Sequence, residues 1–304
     1  MRAVVFDRYG AADVLHLADI AQPHAQPGQI RIRVHAAAVN PVDWKIRSGA
    51  SAAFHQTTFP HVPGLDAAGV VDEVGPGVDG TRVGDEVFGS TLTGASAQYA
   101  LLDPTATAPR PPVMSWFEAA GLPSVAETGL RAVDLLGVTA GQTVLISGVA
   151  GGVGLAAAQF AASRGATVLG TASVAHHVEV ARLGIMPIAY GDDLPQRIRA
   201  AVPVVDRAVD AAGHDVLPDL IALTGSPENV ITVADGVGAQ KHGVRFTTGA
   251  ERRYWEALQL ATALYEKGAF TLPVRQVYPV AQAAEAHRHS ETGHGFGKLI
   301  LAMD

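Results

Sequence analysis

Residues Thr143 to Ser173 read TVLISGVAGGVGLAAAQFAASRGATVLGTAS. The stretch opens on an apolar run, Val144-Leu145-Ile146, bounded by glycine, which has the character of a buried parallel strand. A turn of small residues follows, Ser147-Gly148-Val149-Ala150-Gly151-Gly152-Val153-Gly154. An alanine-rich helix is expected from Leu155 to Arg164, stopped by Gly165, and a second strand from Ala166 to Thr171. Strand, glycine turn, helix and strand make a mononucleotide-binding unit. The glycines let the backbone approach a pyrophosphate, and the helix N-terminus offers free N–H groups and the positive end of its dipole. Gly151 and Gly154 match the last two glycines of the dinucleotide fingerprint, whereas Val149 stands where the first belongs.

The second strand bears on the choice of cofactor. An NAD site carries Asp or Glu near the end of this strand for the ribose 2′-hydroxyl. Here the end reads Gly170-Thr171-Ala172-Ser173, with no acid. Ser173 can bond a 2′-phosphate, and His176, His177 and Arg182 lie just beyond, so NADP(H) is favoured over NAD(H). His176 and His177 read equally well as solvated residues opening the next helix.

The chain has 304 residues, enough for two domains with their own cores. With 22 Lys and Arg against 29 Asp and Glu, and no basic block, nucleic acid and anionic membrane surfaces are poor partners. The cysteine count is 0, which excludes disulfides, a thiol nucleophile and cysteine-ligated metal. The N-terminus reads as a strand rather than a signal peptide, and apolar runs break before membrane length. A cytoplasmic location is expected.

Residues 1 to about 110 are rich in β-branched residues, glycine and proline, with strands expected over Arg2–Asp7 and Gln29–Ala38. They predict a barrel-like all-β domain. Pro109, Pro111 and Pro112 mark a boundary. Beyond it strand and helix signals alternate, which predicts a parallel sheet covered on both faces, followed by one long helix over Glu251–Lys267. The expected division is 1–115 with a return over 265–304, and 116–264 for the nucleotide domain.

Five motifs, NPVDWKIRSG (40–49), GLDAAGVVDEVG (64–75), GDEVFG (84–89), AGGVG (150–154) and the closing GKLIL (297–301), resemble those of the medium-chain dehydrogenase/reductase superfamily, in its zinc-free quinone oxidoreductase branch. The resemblance spans essentially the whole chain. It implies an α/β protein: a GroES-like β-barrel catalytic domain joined to a Rossmann doubly wound parallel sheet, with NADP(H) and substrate meeting in the cleft between them. Relatives with catalytic zinc carry cysteine where this chain has Asn40, histidine at Leu65 and cysteine at Ser124, so no zinc is expected. The pairs His176-His177 and His287/His289 are read as surface residues.

Without zinc, a quinone or an α,β-unsaturated carbonyl suits hydride transfer better than a simple ketone. The charge developing on oxygen then needs donors and a proton. By resemblance Asn40 faces the cleft near the nicotinamide ribose, and Lys45 lies near the substrate as oxyanion donor or proton relay. Lys45 reads also as a snorkelling surface lysine, Asp43 as a turn-stabilising carboxylate, and Trp44 as a pocket or core wall. The same resemblance assigns Ala150, Gly151, Gly152, Val153 and Gly154 to the phosphate loop and Thr128 to the nicotinamide side. It puts Ser173 and Tyr190 at the 2′-phosphate, with Val174 replacing a lysine common in relatives. Ala211 and Ala212 flank the adenosine half and Val233 and Ala234 the nicotinamide, or else these apolar residues only pack strand ends. Val244–Thr248 resembles an edge strand that pairs across a homodimer. An enoyl reductase of a biosynthetic pathway and an NADPH-binding redox sensor share all these motifs.

Overall fold

The computed structural model describes residues 1–52, 56–250, 252–293 and 295–303. The first half contains strands β1 (Arg2–Val5), β2 (His16–Asp19) and β3 (Ile30–Val39), helix α1 (Pro41–Ser48), then β4 (Asp66–Val74), β5 (Glu86–Thr91) and β6 (Tyr99–Pro109). Two helices follow, α2 (Trp116–Gly121) and α3 (Pro123–Leu135). The alternating segment runs β7 (Thr143–Ser147), α4 (Gly152–Ser163), β8 (Thr167–Ala172), α5 (His177–Arg182), β9 (Met186–Ala189), α6 (Leu194–Ala201) and β10 (Arg207–Asp210). It continues with α7 (Leu217–Thr224), β11 (Val230–Thr232), α8 (Gly236–His242), β12 (Arg245–Phe246) and α9 (Glu256–Glu266). The chain closes with β13 (Val274–Pro279), α10 (Ala283–Glu291) and β14 (Lys298–Ala302).

One sheet has the order β13-β14-β3-β4-β5-β6, with β3 also pairing β6, so it curls into a barrel. β13 and β14 come from the far end of the sequence, and β14 lies antiparallel to β3 with Leu299 opposite Val39. The other sheet is wholly parallel, in the order β12-β11-β10-β7-β8-β9. Its inner strands, β7, β8, β10 and β11, are buried on both faces. Val144 and Ile146 join a core with helices α3, α4 and α9, while Leu145 and Leu169 join a second core with α6, α7 and α8. The strand order reverses between β7 and β10, and ligands of doubly wound sheets bind outside the carboxyl ends at such a point.

The expected helix from Leu155 begins three residues earlier, at Gly152, capped by Gly151. The expected long helix over 251–267 starts only at Glu256; Glu251 lies outside the described residues, and Arg252 to Trp255 are not helical. The reason is tertiary: the Tyr254 N–H donates to the buried Glu127 carboxylate at 3.2 Å, which holds this stretch as a loop. Gly236–His242 form α8, capped by Asp235 accepting from the Gly238 N–H. Among the described residues, no helix is long and apolar enough to cross a membrane.

Asp210 fixes the end of β10. Its buried carboxylate accepts from the Ala212 and Gly213 N–H groups at 3.0 and 2.8 Å and from the Thr232 hydroxyl at 2.8 Å. Asp210→Ala strands these buried donors and is expected to cost at least about 2 kcal/mol. Urea unfolding measures the loss; an unchanged midpoint refutes the assignment.

Candidate active site

The glycine turn takes the form its physics requires. Gly148 adopts φ +77 and makes the tight turn, while Val149, at the place of the fingerprint's first glycine, is fully buried. Gly170 on the adjacent strand makes room for it: a Cβ there would lie 2.4 Å from Val149. A Cβ on Gly154 would lie 2.3 Å from the Gly148 carbonyl, so only glycine lets α4 settle onto β7. Gly152, Val153 and Gly154 begin α4, and their N–H groups have no partner within the helix. They form, with the dipole, a receptor for anionic oxygen.

Carboxyl ends of neighbouring strands gather the other expected cofactor residues. Ala172 pairs with Ala189, so Ser173 and Tyr190 emerge side by side. Tyr190 is well exposed. His176 stacks on Phe296, with ring centroids 5.9 Å apart. Ala211 donates to the Ser147 carbonyl at 3.0 Å and Val233 to that of Asp210, also at 3.0 Å. Thr128 accepts from Arg131 Nη2 at 3.2 Å and donates to Glu127 at 3.3 Å.

On the barrel side, the Asn40 N–H donates to the Asp43 carboxylate at 2.7 Å across the first turn of α1. This agrees with the turn-stabilising reading of Asp43. Asn40 itself is 4% exposed, and its amide is held internally: Nδ2 donates to Asp66 at 2.9 Å and Oδ1 accepts from the buried Lys298 ammonium. Asp66 accepts further from the Ser124 hydroxyl at 2.6 Å and its N–H at 3.2 Å. Lys45 is half-buried, with its ammonium 5.7 Å from the centre of the Trp44 ring.

The charges in this cluster oppose burial. Burial pushes the Asp43 carboxyl up to about 7; the Asn40 N–H and Lys298 oppose the rise and Asp66 adds to it. Burial also raises Asp66 and lowers Lys298, each moderated by attraction to the other.

Residues 26–112 match the model of the alcohol dehydrogenase GroES-like domain and 188–301 that of zinc-binding dehydrogenases. The chain is 30% identical to a mouse quinone oxidoreductase over 330 residues, covering 100% of this chain and 98% of the relative. It belongs to the quinone oxidoreductase branch of the medium-chain dehydrogenase/reductase superfamily. An NADPH-dependent alkenal/one oxidoreductase of Arabidopsis thaliana is 30% identical, the match covering 99% of this chain and 79% of that protein. The structure of a quinone oxidoreductase from Coxiella burnetii matches with a TM-score of 0.88 at 30% identity, covering 100% of this chain and 99% of that one.

In this branch member the positions of the relatives' zinc ligands are a poor fit to zinc. Leu65 has no donor, and the side chains of Asn40 and Ser124 are both bound to Asp66.

Two corrections and two omissions concern charged or polar side chains. His287, expected at the surface, is 1% exposed; burial and the neighbouring Arg47 push it down to about 3. Its neighbour on α10, Glu291, pairs with the buried Arg47 of α1 at 2.5 Å, so this face of α10 packs inward. His289 meets the Tyr278 hydroxyl at 2.5 Å and is likewise engaged. Sequence reasoning missed the Asp66–Lys298 cluster, although both residues stand inside motifs it quoted. It also missed the buried Glu127–Arg131 pair, 2.9 Å apart, which orients Thr128 and reaches the Thr247 hydroxyl at 2.6 Å.

Asp43 gives a pH signature. Its folded pKa lies above the ordinary 3.8, so between about pH 4 and 7 the folded protein keeps a proton that the unfolded chain has released. That contribution is complete below the unfolded value and is lost as pH rises towards the folded one. Asp43→Asn keeps an acceptor for the Asn40 N–H but cannot ionise. Relative to wild type it is expected to gain stability steadily from about pH 4 to 7 and to hold that difference above. Urea melts across this range test it; a pH-independent difference refutes it.

Proposed function

We propose that this protein is a zinc-independent, NADP(H)-dependent oxidoreductase that reduces a quinone or an α,β-unsaturated carbonyl, acting in the cytoplasm. The observation that carries this reading is the glycine turn that opens α4 beside an acid-free end of β8. Bound NADPH supplies hydride to the electrophilic carbon. The N–H groups of Gly152, Val153 and Gly154 bind its pyrophosphate, with Ala150 and Gly151 completing the cradle. Ser173, His176 and Tyr190 receive the 2′-phosphate. Ala211 packs against the adenosine half, while Thr128 and Val233 flank the nicotinamide.

On the substrate side, Lys45 places a cation where the carbonyl oxygen gains charge and offers a proton to it afterwards. Asn40 and Asp43 hold the start of α1, and with it Lys45, against the barrel. This division treats residues 1–115 with 265–304 as the substrate-binding unit and 116–264 as the nucleotide unit.

The test follows NADPH absorbance against quinones, enones, enals and enoyl thioesters, before and after dialysis against a chelator. Turnover with quinones or enones that survives chelation supports the reading. Turnover confined to enoyl thioesters favours a biosynthetic enoyl reductase, and tight NADPH binding with no acceptor consumed favours a sensor. Lys45→Ala is expected to lower kcat by about a hundredfold with little change in NADPH affinity; unchanged kcat removes its role.

We propose in addition that β12 pairs with its copy in a homodimer. It is the edge of the parallel sheet and its Phe246 is 44% exposed, which leaves an unprotected edge in a single chain. Light scattering after size exclusion is expected to give twice the chain mass, and Phe246→Lys to shift it towards one chain. A monomeric wild type refutes the pairing.

A further inference from the structure

Lys298 is a lysine 5% exposed, on a strand whose neighbours are aliphatic. Its ammonium meets Asn40 Oδ1, with Asp66 and Asp43 as the carboxylates that act on it. Two glycines shape the passage for its stem. A Cβ on Gly121 would stand 3.3 Å from Lys298 Cγ, and one on Gly152 would stand 2.9 Å from Cδ. Gly152 is the first residue of α4, at the phosphate cradle. The preceding residue, Gly297, donates its N–H to the Ala150 carbonyl in the same cradle at 3.0 Å. Two consecutive residues, Gly297 just before the C-terminal strand and Lys298 at its start, thus touch the phosphate loop and the Asn40 amide together.

Stability does not account for this lysine. A buried ammonium loses hydration that its partners only partly return, and an apolar side chain of the same length often serves a fold as well or better. What an apolar chain cannot do is bond to Asn40 Oδ1. With Oδ1 taken by Lys298 and Nδ2 by Asp66, the amide has one orientation, and its plane is fixed relative to the cradle beneath the Lys298 stem.

We propose that Lys298 is a positioning residue, whose stem against Gly152 and ammonium on Asn40 hold the phosphate loop and the substrate wall at one separation. The proposal rests on the oxidoreductase reading above for its catalytic consequence, but not for its structural one. A displacement of about 1 Å between reactants is enough to cost about a hundredfold in rate, so loss of this brace appears in the chemical step more than in cofactor affinity.

Lys298→Met keeps the stem and removes the ammonium. Its kcat is expected to fall by about tenfold or more, its NADPH Kd to stay within about threefold, and the primary isotope effect from deuterated NADPH to rise as hydride transfer becomes limiting. In an Asn40→Ala background the same substitution is expected to cost less than about twofold, because the two act through one contact. Hydrogen exchange at the Asn40 side-chain amide needs no substrate: it is expected to be slow in the wild type and fast in Lys298→Met. If the methionine variant does not fold, Lys298→Gln is carried through the same measurements. Unchanged kcat and unchanged amide exchange overturn the proposal, as does a loss confined to NADPH affinity, which assigns Lys298 to cofactor binding instead. Failure of the wild type to bind NADPH refutes the oxidoreductase reading, and the amide exchange still decides the brace.

Discussion

The antiparallel pairing of β14 with β3 is the constraint from which the site follows. The C-terminal strand returns across the molecule and sets Leu299 opposite Val39. That register carries Lys298 to Asn40, and the residue before it to the phosphate loop. Parallel pairing of β13 with β14 then covers the outer side of the returning strand. The relation between the glycine turn and Asn40 is therefore set by strand register. Sites built on such elements hold their geometry more closely. A one-residue slip of β14 would turn Lys298 to the opposite face of the sheet and empty the polar cluster.

Inside that cluster, charge and hydrogen bonding are unevenly shared. Asp66 has both oxygens occupied, by the Asn40 amide and by the hydroxyl and N–H of Ser124. On Asp43, Oδ2 accepts the Asn40 N–H while Oδ1 has no hydrogen-bond partner among the described residues. A carboxylate surrounded by donors keeps its charge at least cost, and a half-satisfied one takes a proton. Asp66 thus has more donors set against its burial than Asp43 has, although burial raises both carboxyls.

How much of this was legible in the sequence depends on distance along the chain. The phosphate turn was readable because strand, glycines and helix are consecutive, and its departure from the fingerprint has a local cause. Gly148 does the turning and Gly170 accommodates Val149. Asp43 as a turn carboxylate was equally local, three residues from its donor. The brace was not readable: Asn40 meets partners 26 and 258 residues away, which no periodicity records. The late start of α9 and the inward turn of His287 have the same origin. Glu127 reaches 127 residues to the Tyr254 N–H, and Arg47 reaches across to α10. The surface reading of His287 and His289 failed because the elements packed against α10, α1 and β13, are remote in the chain.

The acid-free end of β8 gains meaning from where acids do stand. Asp210 occupies the corresponding end of β10, but its carboxylate is consumed by Thr232 and the 212–213 backbone. It presents no free charge to a neighbouring anion. Near Tyr190 the chain carries both signs of charge, the exposed acids Asp192 and Asp193 and the cation Arg197. Arg197 donates to the carbonyls of Ala189 and Gly191 at 3.0 and 3.3 Å, which fixes its guanidinium beside that tyrosine. Its acidic partner, Asp193, is exposed and 4.0 Å away, a separation at which a surface pair contributes little. Arg197 is thus a cation held beside Tyr190 without a strong ion pair. In the NADP(H) reading proposed above, Arg197 is the cation nearest Tyr190, with Val174 standing where relatives often carry lysine.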